Sequence, residues 1–123
     1  MKTKYVDGFV LVVQKKNVSA YKKMANGGKK IWMKHGALGY KECRLNDANP
    51  KWVTLTFPKL AKVRKGETVW FSYIEYASKK HRDEVNKKVM ARMEKDKEKY
   101  KDMKMPFDMK RMAYGGFTVE VSD

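Results

Sequence analysis

The chain has one cysteine, three prolines and five arginines among its 123 residues, and it has no long apolar run. Each shortage excludes something. A lone Cys43 has no partner within its own chain, so no disulfide framework holds the fold, and a cytoplasmic setting is expected. The longest early apolar run, residues 9–13, is too short for a signal-peptide core, and no segment approaches the roughly 20 apolar residues of a membrane span. No membrane partner is expected. The chain shows no phosphate loop, dinucleotide fingerprint or zinc-ligand spacing, so neither a cofactor nor a metal is expected. What is present, 42% hydrophobic and 12% aromatic residues, suffices for one domain spanning residues 1–123.

Charge is the loudest feature, with 29 lysines and arginines against 14 acidic residues. Such an excess attracts polyanions at long range. Arginine, whose planar fork suits phosphate and base contacts, is scarce, and residues 87–104 interleave Glu94, Asp96, Glu98 and Asp102 among their lysines. That composition describes a solvated charged surface. Nucleic acid is therefore not the expected partner, although a basic interaction module for nucleic acid or another acidic macromolecule stands as the alternative function.

Residues 5–13, YVDGFVLVV, are rich in β-formers and read as a strand. Asn17 offers an N-cap, after which Val18, Tyr21, Ala25, Gly28, Trp32 and His35 recur at helical spacing up to a C-capping Gly36. Residues 37–46 read as a second strand, with Tyr40, Glu42 and Arg44 on one face and Lys41, Cys43 and Leu45 on the other. Residues 47–66 form an irregular connection with a single helical turn at 59–63. Residues 68–76, TVWFSYIEY, are the strongest strand and carry large apolar groups on both faces. Ser78 then caps a helix reaching about Tyr100, and residues 112–121 form a last strand in which Gly115 and Gly116 mark a bulge or a close approach.

The resulting order, βαββαβ, is that of an α+β ferredoxin-like fold: a four-stranded antiparallel sheet with two helices on one face. The first and third strands are apolar on both sides, so the open face of the sheet is expected to meet a second copy of the chain. A homodimer follows.

The stretches YVDGFV, HGAL with ECRLND, GETVWFSYIEY, HRDEVNKKVM and MPFDMKRMAYGGF together resemble the YbaA-like family of uncharacterised bacterial proteins, domain of unknown function 1428. The resemblance runs nearly end to end. It implies a dimeric α+β barrel, and it implies no activity. Across that superfamily, haem-degrading members use an asparagine on the first strand, a tryptophan on the third and a histidine on the second helix. This chain has Asp7, Trp70 and His81, the last only in the first turn of that helix, so the match is partial.

Several side chains are candidates for binding. His81 and Arg82 lie at a helix N-terminus, where free N–H groups favour an anion and Asp83 would orient one of them. The plainer reading has Asp83 and Glu84 offset the local positive charge. Arg111 and Tyr114, beside Gly115, could donate hydrogen bonds into a cavity, or Arg111 and Asp108 could make a local turn contact. His35 and Trp70 could line the same cavity, but a histidine in a last helical turn also serves as a cap. Cys43 reads as a small buried hydrophobe rather than a nucleophile. The six methionines from Met90 to Met112 read as gap-fillers. The expected function is binding of a small organic or anionic ligand between sheet and helices. Whether any reaction follows is open, and no catalytic residue is assigned.

Overall fold

A computed structural model describes residues 1–123. Strand β1 spans Tyr5–Gln14, and a 3-10 turn, Lys15–Asn17, leads directly into helix α1, Val18–Lys34. Strand β2, Gly39–Arg44, is followed by a long connection holding the single-turn helix α2, Phe57–Leu60. Strand β3, Glu67–Tyr76, leads to helix α3, Lys79–Lys95, and the single-turn helix α4, Lys97–Tyr100. A second 3-10 turn, Met109–Arg111, precedes strand β4, Ala113–Thr118. The strands form one antiparallel sheet in the order β2-β3-β1-β4.

Local chemistry explains most boundaries. Asn17 makes no side-chain cap; it is the last residue of the 3-10 turn that runs directly into α1. Gly36 follows the C-cap residue His35 at φ +109°, a conformation that costs little only for glycine. Thr56 caps α2, which begins two residues earlier in the chain than the spacing suggests. Ser78 caps α3 by accepting the His81 N–H at 3.0 Å. That helix stops at Lys95 rather than near Tyr100, with Asp96 as the residue shared between α3 and α4. Strand β4 is also shorter than the sequence suggests, starting at Ala113 after the Met109–Arg111 turn and ending at Thr118.

Side-chain alternation gives the sheet two different faces. Tyr5, Asp7, Phe9, Leu11 and Val13 of β1 share a face with Trp70, Ser72, Ile74 and Tyr76 of β3. Both long helices cover it. Tyr21 and Ala25 of α1 pack with Leu11, Val13 and Trp70, and Val85 and Val89 of α3 pack with Ile74 and Tyr76. The opposite face carries Val6, Val10 and Val12 beside Val69, Phe71 and Tyr73, and no helix of comparable length lies over it. Only α2 approaches there, where Phe57 meets Phe71 at 6.5 Å between ring centres.

Candidate functional site

The helix-bearing face carries two polar clusters on adjacent rows of the sheet. The first centres on Asp7, which is opposite Ile74 on one side and Gly116 on the other. Asp7 is only 2% exposed. Its Oδ1 accepts hydrogen bonds from Arg82 Nη1 at 2.7 Å and from the Tyr114 hydroxyl at 3.0 Å. Arg82 reaches this position from the first turn of α3, and its Nε donates to Asp83 at 2.7 Å. The Tyr5 ring lies over the guanidinium at 5.2 Å, and the Tyr5 hydroxyl occupies the space a Cβ at Gly116 would need. A side chain at Gly116 would displace the Tyr5 ring from this position.

Burial pushes the Asp7 carboxyl above its ordinary value even though Tyr114 and Arg82 favour its charged form. Burial likewise works against the Arg82 charge, but the hydrogen bond to Asp83 and the field of Asp7 more than restore it. The Tyr114 phenol is raised, first by burial and then by Asp7. Within the chain, Asp7 Oδ2 and Arg82 Nη2 make no hydrogen bond. One acceptor and one donor of this pair are thus left without a partner in the chain, and Tyr114, 52% exposed, connects the cluster to the surface.

The second cluster centres on Glu42 of β2. Its Oε1 accepts from the Tyr21 hydroxyl at 2.7 Å and from Ser72 Oγ, while its Oε2 accepts from Tyr40 at 2.8 Å. Burial and the neighbouring Glu42 raise both the Tyr21 and Tyr40 phenols, which keeps them protonated donors. The Tyr40 hydroxyl also fills the space beside Gly28 of α1. With three hydroxyls on one carboxylate, this cluster fastens α1 to the sheet.

Of the residues singled out from sequence, the fold brings Arg82 and Tyr114 together on Asp7. His81 diverges from Arg82: its Nδ1 accepts the Ala77 N–H at 2.9 Å, and its ring meets Tyr76 edge-on at 5.8 Å. His35 caps α1, and its buried Nε2 has no partner. Trp70 is a core residue packed on Tyr21 at 4.8 Å, and its buried Nε1 is also unpartnered. Arg111 lies elsewhere, donating to both Glu67 oxygens at 2.6 and 3.0 Å and to the Lys62 carbonyl at 3.0 Å. Its backbone also makes the expected turn contact, the Arg111 N–H donating to the Asp108 carbonyl at 3.1 Å, while the Asp108 carboxylate accepts the Lys110 N–H. Arg111 holds the Glu67 carboxyl below its ordinary range.

Two further placements depart from expectation. Cys43 is exposed on the open face rather than buried. Two hollows also lie away from the two long helices. One, of about 450 Å³, lies on the open face between Cys43, Leu55, Phe57 and Phe71, and the other, of about 480 Å³, lies near Arg44, Glu67 and Val69 at one end of the sheet. No helix is long and apolar enough to cross a membrane.

Residues 4–109 match the family described as "Protein of unknown function (DUF1428)", a span that includes Asp7, Glu42 and Arg82. The chain is 43% identical over 116 residues to "Uncharacterized protein YbaA" of Escherichia coli strain K12, covering 93% of this chain and 94% of that protein. It matches the Shigella flexneri protein of the same name to the same extent. With a match over most of its length and this degree of identity, the chain belongs to the DUF1428 family.

Proposed function

We propose that the protein is a homodimeric ligand-binding protein with a ferredoxin-like fold of the dimeric α+β barrel type, taking a small polar organic ligand at Asp7, Arg82 and Tyr114. The observation that carries the ligand site is the buried Asp7 carboxylate paired with Arg82, in which Oδ2 of the acid and Nη2 of the base make no hydrogen bond within the chain. A ligand with an oxygen acceptor next to a hydrogen-bond donor, such as a carboxylic acid or an amide, complements that pair. The buried carboxylate favours a donor, and Arg82 favours an oxygen that carries negative charge.

The dimer rests on the open face of the sheet. Phe71 is 44% exposed and Phe117 is 60% exposed, with the Phe117 ring lying over Gly8 and Gly115. Phe57, Phe71 and Tyr73 continue the aromatic row across β3. Apolar surface running across all the central strands favours burial against a self-complementary copy. That association leaves the Asp7 cluster free on the other side of the sheet.

The ligand site is tested by NMR titration of the dimer with benzoate and acetamide as probes. Saturable shifts at the Gly115 and Gly116 amides, lost in Arg82→Ala while the dimer persists, are expected. Equal binding by Arg82→Ala overturns the site.

A further inference from the structure

Helix α1 distributes charge differently from the rest of the chain. The residues 15–34 hold Lys15, Lys16, Lys22, Lys23, Lys29, Lys30 and Lys34 and no acidic residue. All seven lysines are exposed, and no ion pair in the chain involves any of them. Three lysine pairs recur every seven residues. The first pair lies in the 3-10 turn that leads into α1; seven residues make almost two α-helical turns, so the pairs Lys22/Lys23 and Lys29/Lys30 fall on one face of α1 about 10.5 Å apart. Between the two resulting rails runs a file of Ser19, Asn26 and Met33, also exposed and also seven apart. The buried side of the helix, Tyr21 and Ala25, points the other way into the core. Along α3 and α4, by contrast, Glu94, Asp96 and Glu98 pair with Lys97, Arg92 and Lys101 and interrupt any basic track.

We propose that the outward face of α1 docks on duplex DNA, its two lysine rails contacting the phosphate backbones on either side of the major groove. A regular ladder of unpaired cations is complementary to a regular polyanion. Ser19 and Asn26 in the central file are short and polar and let the helix approach closely. A helix about 10–12 Å across fits the roughly 12 Å wide major groove of B-form DNA, whereas the deep major groove of A-form RNA is closed to side chains. Single strands call for exposed aromatic platforms, and this face has none. A lipid surface calls for large apolar side chains beside the cations, and the face offers only Met33. Lysines placed as point charges on phosphates give binding with little base selectivity. Since α1 lies on the helix-bearing side, the surface is independent of the open sheet face.

The test is fluorescence anisotropy with a labelled DNA duplex of about 20 base pairs, read from about 50 to 200 mM salt. Replacing Lys29 and Lys30 by alanine is expected to weaken binding and to make the salt slope shallower by about 1.8, since each lost phosphate contact removes about 0.9. Lys22→Gln with Lys23→Gln should do the same, and unchanged circular dichroism shows that both variants keep the helix. Lys99→Ala with Lys101→Ala, whose lysines face Asp96 and Glu98, should leave the slope unchanged. An equal loss from that control pair overturns the proposal, because the charge would then act diffusely. Tighter binding to duplex RNA, to single-stranded DNA or to phosphatidylserine vesicles overturns it as well, as does the absence of DNA binding at the lowest salt.

Discussion

Asp7 and Arg82 stand 75 positions apart in the chain and 2.7 Å apart in the fold. Asp7 is on the second strand from the β4 edge of the sheet, and Arg82 descends to it from the N-terminal turn of α3. The side chains of both are largely withdrawn from solvent, at 3% and 13% exposure. A pair so enclosed is costly to desolvate and costly to break, because either partner left alone keeps its penalty without its compensation.

This pair has a pH signature. Burial raises the Asp7 carboxyl above 3.8, so over the interval between that value and its raised native value the folded chain holds a proton the unfolded chain has released. Stability contributed by Asp7 is therefore full below that interval and falls as the pH rises through it. Urea unfolding of the wild type and of Asp7→Asn at stepped pH should show the wild type losing ground to the variant across that interval and then levelling off. A wild type that gains on the variant as the pH rises would mean that Arg82 and Tyr114 outweigh burial.

The Glu42 cluster gives a stability prediction. Glu42→Leu leaves the Tyr21, Tyr40 and Ser72 hydroxyls without their acceptor, so the loss is expected at about 1–3 kcal/mol, the cost of stranding buried polar groups. Glu42→Gln keeps acceptor oxygen and should lose less. Equal, small losses in denaturant midpoint for both would show that water satisfies these hydroxyls.

Gly36 offers a backbone test. At φ +109° an L side chain is strained, so Gly36→Ala should cost about 1–3 kcal/mol. The space beside it is adequate, with Val85 and His81 no closer than 3.6 Å to an added Cβ. The loss therefore reports conformation rather than a clash. Thermal unfolding that is unchanged by the substitution would refute the conformational reading.

Local signals in the sequence carried well into the structure. The strand at β3, the Ser78 cap and the Gly36 turn depend on neighbours within a few residues, and each stands where its signal lies. The polar clusters do not depend on neighbours. Alternation placed Tyr40 and Glu42 on a shared face, but only the strand order and register bring Ser72 beside Glu42 and Gly116 beside Asp7. Asp7 gave no signal of its own, since a lone carboxylate inside an apolar strand shows its role only when Arg82 and Tyr114 arrive from distant segments. Arg111 shows the same limit: its backbone N–H meets Asp108 as the spacing suggests, whereas its side chain pairs with Glu67, 44 residues away. Helix α3 is shorter than its sequence suggests because the lysine- and glutamate-rich continuation has the same helix propensity as the helix itself. The lysine ladder was present in the sequence throughout, yet its meaning depends on which residues of α1 face outward.

The native mass of the purified protein tests the central claim most directly. A species at twice the 14.4 kDa chain mass, reduced to a single chain by Phe71→Lys with Phe117→Lys, is the result expected if the open sheet face joins two copies. A wild-type protein that stays at 14.4 kDa at micromolar concentration, or a dimer that survives both substitutions, would contradict it.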